Sequence, residues 1–197
     1  SARKWRCFAG GAEPIILGGM TRNTVMAGLV GLALAMAPVL ARADQTDSRL
    51  DGIFEQLKEA KTTREGALLE ASIWQIWSET DEDDAAFLFR RGLDAMANDL
   101  PEDALGYFSD AIKKAPEFAE AWNKRATVLY LMGDYQRSVA DVEQTLALEP
   151  RHFGAISGLG VVNLAREHDA AARDAFERVL SLYPLNLPAQ ENLKLVK

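Results

Sequence analysis

Few residues of this 197-residue chain have types that could carry out chemistry. The only two histidines, His152 and His168, fall in segments predicted to be loops between helices, so we interpret both as solvent-facing turn residues. The glycine-rich stretch 154–160 superficially resembles a nucleophile turn or a nucleotide-binding turn. However, Ala155 and Leu159 occupy glycine positions of the G-x-S-x-G motif, and the last glycine of G-x-G-x-x-G is missing. The sequence therefore predicts no catalytic residue and no cofactor.

Two further groups of residues suggest ligands at first sight. The acidic run 79–84 could indicate calcium, but it lacks the alternating ligands and the turn glycine of a calcium loop. It precedes a predicted helix, whose positive end acidic residues stabilise. Trp74, Trp77 and Trp122 could stack on a ligand, but their spacing favours a helical core. We therefore predict no metal site, and an enzyme would need a cluster of perturbed ionisable groups that the sequence does not offer.

The charge of the chain is distributed unevenly. Residues 1–43 contain five of the 22 basic groups and one of the 29 acidic groups, so the rest has 17 basic and 28 acidic groups, a net charge of -11. Such an acidic chain repels phosphate backbones, which argues against nucleic acid as a partner. The single cysteine, Cys7, lies in the part that we expect to be removed, so neither a disulfide nor a thiolate metal site is predicted.

Residues 20–43 have the pattern of a secretory signal peptide. A short start with Arg22 precedes an apolar run from Val25 to Leu40, and the tripeptide Ala-Arg-Ala that ends at Ala43 is a small-x-small cleavage pattern. The run has about 16 residues, fewer than the roughly 20 of a membrane span. We predict cleavage after Ala43 and a periplasmic or secreted protein without a membrane span, with an uncleaved anchor or a buried helix as alternatives. Residues 1–19 are predicted to be an upstream or disordered segment.

An internal period of 34 residues organises most of the remaining chain. Windows 85–118, 119–152 and 153–186 place residues of similar size in register. The aligned sets are Leu88, Trp122 and Ile156; Gly92, Ala126 and Gly160; Ala104, Ser138 and Ala172; Phe108, Val142 and Phe176; and Pro116, Pro150 and Pro184. The small residues allow two helices to approach closely, and the prolines cannot continue a helix interior. The period therefore predicts three tandem helix pairs.

This pattern resembles the tetratricopeptide repeat family, which repeats a large apolar residue, a small one four positions later, a second small residue, an aromatic residue and a terminal proline. The resemblance covers residues 85–186, with repeats at 85–118, 119–152 and 153–186. It implies an all-α fold, an α-solenoid of stacked antiparallel helix pairs. In such a fold each pair buries its apolar face against its neighbours.

Both flanks of the repeats are predicted to be helical. Segment 44–84 has the pattern of two helices with apolar faces, the second opened by a capping box at Thr62 and Glu65. It lacks the small residues and the proline of the repeat, so we predict a degenerate capping pair before the first repeat. Segment 187–197 is predicted to be a C-terminal capping helix. Caps are expected because the ends of a solenoid would otherwise expose apolar surface.

The resemblance also implies a groove in which a peptide or a helix of another protein binds. In this family the first helix of each pair lines the concave side. The implied lining residues are Phe89, Arg90, Leu93 and Met96; Asn123, Lys124, Thr127 and Tyr130; and Ser157, Val161 and Leu164. Some members clamp a terminal carboxylate there, but Phe89 and Leu93 replace the first lysine and asparagine, and Gly154 and Gly158 replace the last basic pair. A carboxylate clamp is therefore not expected.

The sequence as a whole predicts an exported, non-catalytic adaptor or scaffold that binds another protein in the cell envelope. The alternative is a self-associating structural module, a homo-oligomer. In that alternative the groove is filled by the chain's own N-terminal hairpin or by a second copy.

Overall fold

The computed structural model describes residues 47–196, which are helical apart from short links. The nine helices in this range are α1 (Ser48–Glu59), α2 (Thr63–Trp77), α3 (Asp83–Ala97), α4 (Pro101–Lys114), α5 (Ala119–Leu131), α6 (Tyr135–Leu148), α7 (Phe153–Ala165), α8 (Asp169–Leu182) and α9 (Leu187–Leu193). Residues 47–196 contain no strand, and the predicted all-α fold is confirmed. None of these helices is long and apolar enough to cross a membrane. The predicted upstream segment, signal peptide and Cys7 lie outside the described residues.

The predicted repeats form three helix pairs, α3 with α4, α5 with α6 and α7 with α8. In the first and third pairs the two helices meet at a glycine and a phenylalanine. A Cβ atom on Gly92 would lie 2.5 Å from Phe108 Cε1, and one on Gly160 would lie 2.5 Å from Phe176 Cε1. Such distances are far inside van der Waals contact, so glycine is what lets each ring lie against the facing helix. The 34-residue pattern thus sets the helix spacing.

The middle pair is joined by polar contacts at the equivalent place. The Ser138 hydroxyl donates to the Ala126 carbonyl at 2.8 Å, across the two helices. Arg125 donates to both carboxylate oxygens of Asp141, at 2.7 and 2.8 Å, and its guanidinium lies 4.8 Å from the centroid of the Trp122 ring. A bidentate pair of this kind fixes orientation as well as distance, so it holds α5 against α6 in one register.

The turns inside the three pairs share one backbone geometry. Asp99, Gly133 and Glu167 recur at the 34-residue period, and their φ angles are 59°, 84° and 60°. The residue after each donates its N–H to a carbonyl five residues earlier, at 2.9 to 3.0 Å. This is the closure of a Schellman motif. Only the middle turn has a glycine, the residue that adopts positive φ without steric cost.

In the N-terminal hairpin, formed by α1 and α2, Thr62 caps α2 as predicted, and Glu65 reaches back to the residue before the N-cap. The Thr62 hydroxyl accepts the Glu65 N–H at 3.2 Å, and the Glu65 carboxylate accepts the Lys61 N–H at 2.9 Å. However, no buried residue of the hairpin belongs to the core of the first repeat. Its buried residues, among them Phe54 and Trp77, share a core with the third repeat and α9. The hairpin therefore covers the third repeat and not the first, because its aromatic residues find their apolar partners further along the chain.

Two large cores result from this arrangement, and a smaller third one joins Ala126, Val142 and Ala155 of α5, α6 and α7. The first-repeat core joins α3, α4 and α5 around Phe89 and Phe108. The hairpin core joins α1 and α2 to α7, α8 and α9 around Trp77 and Phe176. The predicted C-terminal helix is present as α9, and Ala189 on this helix is fully buried in the hairpin core. The N-terminal hairpin and α9 thus cover the same end of the repeat array.

Candidate functional site

Two tryptophans of α2 pack the hairpin against the N-terminal halves of α5 and α7. The fully buried indole of Trp77 stacks on the imidazole of His152, with ring centroids 4.0 Å apart and planes 10° apart. Trp74 lies over Gly154, where a Cβ atom would collide with the indole. The Lys124 ammonium lies 5.0 Å from the centroid of the Trp74 ring. We call His152, Gly154 and Lys124, with Glu120 beneath them, the docking surface.

His152 connects the docking surface to a buried carboxylate. Its Nδ1 accepts the Ala155 N–H at 3.1 Å and so caps the N-terminal end of α7. A ring nitrogen that accepts a hydrogen bond carries no proton, so the neutral ring has its proton on Nε2. Nε2 lies 3.0 Å from Oε2 of Glu120 and donates to it. One imidazole therefore caps a helix, supports the Trp77 ring and orients the Glu120 carboxylate.

The Glu120 carboxylate is fully buried and is neutralised within the protein. Lys124 Nζ lies 3.0 Å from its Oε1, and Asn123 Nδ2 donates to its Oε2 at 2.8 Å. Burial alone would raise the pKa of Glu120, but the charge of Lys124 and the hydrogen bonds from His152 and Asn123 outweigh burial and hold this pKa below its usual value. The surrounding groups thus stabilise the ionised form of the buried Glu120 carboxylate. Lys124 neutralises this internal charge and does not face an open groove.

Arg151 holds the first helix of the hairpin in the same way. Its guanidinium donates to Glu149 at 3.0 and 3.1 Å and to Asp51 of α1 at 2.6 Å. It also lies 4.7 Å from the centroid of the Phe54 ring. Because the Glu149 side chain is buried, Arg151 both compensates a buried charge and contacts α1. Each helix of the hairpin therefore has one aromatic ring against one cation of the repeats.

The face of α2 that carries Trp74 continues towards the end of α8. Trp74 Nε1 donates to Glu70 at 3.3 Å, and Glu70 also forms a hydrogen bond with Tyr183. Burial raises the pKa of Glu70, and burial together with Glu70 raises the pKa of Tyr183 to about 12. A Cβ atom on Gly66 would lie 2.8 Å from the Tyr183 ring. The residues at 66, 70 and 74 follow the helical spacing of four, so these three contacts lie along one face of α2.

An open cavity of about 720 Å³ lies at the opposite ends of α5 and α7. Its lining combines the turn between α5 and α6, the last turn of α7 and the segment around α9. The lining residues are Tyr130, Leu131, Met132, Gly133, Tyr135, Val161, Leu164, Ala165, Asn192 and Leu195, none of which is charged. The rings of Tyr130 and Tyr135 lie 5.6 Å apart. Aromatic and aliphatic walls with a few polar atoms are typical of ligand pockets.

Three of the predicted groove residues are buried, which contradicts their assignment to an open groove. The centroid of the Phe89 ring lies 4.8 Å from that of the Phe118 ring in the first-repeat core. Burial of a phenyl ring in this core is favoured because it removes apolar surface from water. Asn123 is 6% exposed and holds Glu120, and the Thr127 hydroxyl donates to the Asn123 carbonyl at 3.0 Å. Asn123 and Thr127 therefore form hydrogen bonds within the fold and do not present their side chains to a ligand.

The other predicted groove residues form two accessible groups. Arg90 and Leu93 are exposed on α3, and Met96 is half-buried beside them. The half-buried residues of the second and third repeats are Lys124, Tyr130, Ser157, Val161 and Leu164, and three of them, Tyr130, Val161 and Leu164, border the cavity. The structure thus brings part of the predicted set together at the cavity, and it places Lys124 under the hairpin.

The prediction that His152 is a solvent-facing turn residue is wrong, because its side chain is fully buried beside the rings of Trp77 and Trp74. His168 precedes α8 at an exposed position, as predicted. The sequence contained one local signal for His152, its place directly before a helix, where a ring nitrogen can cap the first turn. The partner ring on α2 is distant in the sequence, and no local pattern indicates it. Of the three tryptophans predicted in the core, Trp77 is fully buried and the other two are half-buried.

The comparison with known proteins identifies the family. The model of the tetratricopeptide repeat matches residues 89–136 and 124–186. A TPR repeat-containing protein of Rhizobium etli is 33% identical over 148 residues, which are 75% of this chain and 72% of that protein. The chain belongs to the tetratricopeptide repeat family. The Hsp70-Hsp90 organizing protein of Triticum aestivum is 36% identical over 85 residues, but the match covers 43% of this repeat protein and only 15% of the relative.

Solved structures show the same repeat fold. The first TPR of Spaghetti (RPAP3) bound to the HSP90 peptide SRMEEVD has a TM-score of 0.57 and 22% identity, and the match covers 59% of this repeat protein and 92% of that chain. The crystal structure of MamA protein has a TM-score of 0.55 and 18% identity, with 75% and 79% of the two chains covered. At these identities the likeness concerns the fold alone.

Proposed function

We propose that this chain is an adaptor without chemistry of its own, which binds another protein in the cell envelope after export. The cavity carries this proposal, because side chains of two successive repeats and of the C-terminal segment converge there. Three of them, Tyr130, Val161 and Leu164, were predicted from the family's groove. An uncharged lining suits the apolar side chains of a helix or an extended segment. The proposal also includes Arg90 and Leu93, which are exposed on α3 of the first repeat.

The partner is not proposed to be a chaperone tail. One relative is named as an Hsp70-Hsp90 organizing protein, and one structural neighbour was solved with an HSP90 peptide. In this chain Phe89 is part of a core, Lys124 neutralises Glu120, and Gly154 lies under Trp74. Cations that are already neutralised cannot clamp a terminal carboxylate without breaking the docking surface. We therefore favour a partner segment whose main contribution is apolar.

Export is proposed from the pattern of residues 20–43. Cleavage after Ala43 would leave a mature chain that begins shortly before α1, so no described helix would be lost. N-terminal sequencing of the protein from the periplasmic fraction tests this proposal. A mature N-terminus at Asp44 would agree with it, and an uncleaved chain in the cytoplasmic fraction would contradict it.

Crosslinking in living cells tests partner binding directly. A photoreactive residue at Tyr130 or at Leu93 is expected to capture one and the same envelope protein. Leu195→Asp, which adds a charge to the cavity lining, should lower capture, whereas Leu187→Asp should not, because Leu187 is also exposed but lies outside the lining. Equal capture by the two variants, or no captured protein, would contradict the proposal. Capture of a second copy alone, with a dimer in sedimentation, would instead support the self-associating module.

A further inference from the structure

We infer that the docking surface is a binding site for an aromatic helix of another protein, and that α2 occupies it in cis until such a helix displaces it. The inference rests on the proposed function, since it names one class of partner for a protein-binding repeat. The partner is an amphipathic helix with an acidic residue, an aromatic ring four positions later and a second ring after three more. In this chain Glu70, Trp74 and Trp77 provide that pattern.

The docking surface recognises rings by shape and by charge. His152 offers a flat face that its hydrogen bonds to Ala155 and Glu120 hold in one orientation. Gly154 leaves the space into which the Trp74 ring projects. Lys124 places a cation over that ring, an arrangement that attracts the electron-rich face of an aromatic system. These contacts require only one helix face with rings three residues apart, so a helix from another chain can make them.

The link between the hairpin and the repeats allows exchange. Residues 78–82 are the only covalent connection between α2 and α3, and the buried residues of the hairpin belong to the core shared with the third repeat and α9, not to the first-repeat core. Glu79 in this link forms an ion pair with Arg49 at 2.7 Å. Both side chains are exposed, and an exposed ion pair contributes little to stability. A short tether keeps α2 at high effective concentration beside its site. Docking in cis therefore does not require tight intrinsic binding.

One feature of the docked hairpin is unfavourable. Trp77 Nε1 is buried and has no hydrogen-bond partner among the described residues. A buried donor without an acceptor opposes docking, and undocking would let water satisfy it. A phenylalanine at this position of a competing helix would stack on His152 without burying an N–H group. Thus α2 is not the best ligand for its own site, which is the property that a displaceable segment needs.

Peptide binding to the full chain tests the inference. The probe is a fluorescent peptide with the sequence of residues 62–78, and binding is measured by anisotropy. A full chain with Trp74→Ala and Trp77→Ala should bind the probe about tenfold more tightly than the wild type, because its own hairpin then competes less strongly. The probe with the same two alanines should bind neither chain, and the probe with Trp77→Phe should bind at least as tightly as the natural sequence. Equal affinities of the two chains, or binding of the alanine probe, would overturn the inference.

A second measurement uses the wild-type chain and does not depend on how the variant folds. Excess probe should release the link 78–82 from the docked hairpin and speed its cleavage by glutamyl endopeptidase at Glu79 and Glu82. No acceleration at saturating probe would refute displacement. Leu195→Asp distinguishes this inference from the proposed function, because it should lower capture at the cavity and leave probe binding unchanged. Loss of both activities in Leu195→Asp would show that the two surfaces are not separate and would also overturn the inference.

Discussion

The repeat pairs and the hairpin dock by different means. Within the first and third pairs a glycine meets a phenylalanine, Gly92 with Phe108 and Gly160 with Phe176, and the contact recurs with the repeat. The hairpin instead docks through a single arrangement of tryptophans, a histidine, a lysine and a buried carboxylate. The contacts that recur with the repeat hold the helix pairs together. The contacts that occur only once determine where the N-terminal hairpin packs on the repeats. The two regions should therefore respond differently to mutation.

The largest effect is expected from Phe108→Ala in the first-repeat core. Loss of a fully buried phenylalanine should lower the free energy of unfolding of the whole repeat array by about 3–5 kcal/mol. Denaturant unfolding followed by circular dichroism measures this change. Phe87→Ala is the matched control, because Phe87 lies on the neighbouring helix but is 57% exposed, and it should change the free energy of unfolding little. Similar losses in the two variants would refute the proposed core.

Trp77→Ala should act locally instead. The truncation removes the stack on His152 and should weaken docking by about 3 kcal/mol, while the unfolding of the repeats changes much less. The predicted signature is rapid proteolysis in the link 78–82 with an intact helical signal from the repeats. Leu68→Ala, on an exposed position of the same helix, should not speed proteolysis. If Trp77→Ala unfolds the repeats as fully as Phe108→Ala does, the two regions form one cooperative unit.

A matched pair of glycine substitutions sharpens the comparison. Gly160→Ala and Gly154→Ala lie on the same helix, and the added methyl group would collide with Phe176 in the first case and with Trp74 in the second. Overpacking should destabilise each contact by about 1–3 kcal/mol. The better helix propensity of alanine should offset roughly 0.5–1 kcal/mol of this loss. Gly160→Ala should lower the unfolding midpoint of the repeats, and Gly154→Ala should mainly release the hairpin. The reverse pattern would mean that the contacts are assigned to the wrong regions.

The smallest effect is expected from the charge of Glu120, and it should depend on pH. The folded-state pKa of Glu120 is lowered, so its ionisation stabilises the fold fully above the unfolded-state pKa of about 4.3, and this contribution is lost as the pH falls through the folded-state value. Glu120→Gln keeps the shape and removes the ionisation. The difference in melting temperature between wild type and variant should be constant near neutral pH and should shrink in acid. A difference in melting temperature that grows as the pH falls would contradict a lowered folded-state pKa of Glu120.

The sequence predicts the repeats well because their physics is local and recurs. A small residue and a proline every 34 residues require close helix pairs whatever else the chain contains, and all three pairs are found. The N-cap at Thr62 is equally local and is confirmed. The position at which the hairpin packs cannot be predicted from local sequence. It depends on the contact between Trp77 of α2 and His152, which are far apart in the sequence. The same limit explains Phe89, which was assigned to the groove from its position in the repeat and lies in a core.

Native-state hydrogen exchange of the full chain tests most directly whether the hairpin is held separately from the repeats. Amides of α2, residues 63–77, should exchange through an opening that costs less free energy and has a weaker denaturant dependence than the opening of α5 and α7. That result would show the hairpin leaving while the repeats stay folded. Equal opening free energies and equal denaturant dependence in α2, α5 and α7 would contradict the account, because the hairpin would then be an inseparable part of the repeat core.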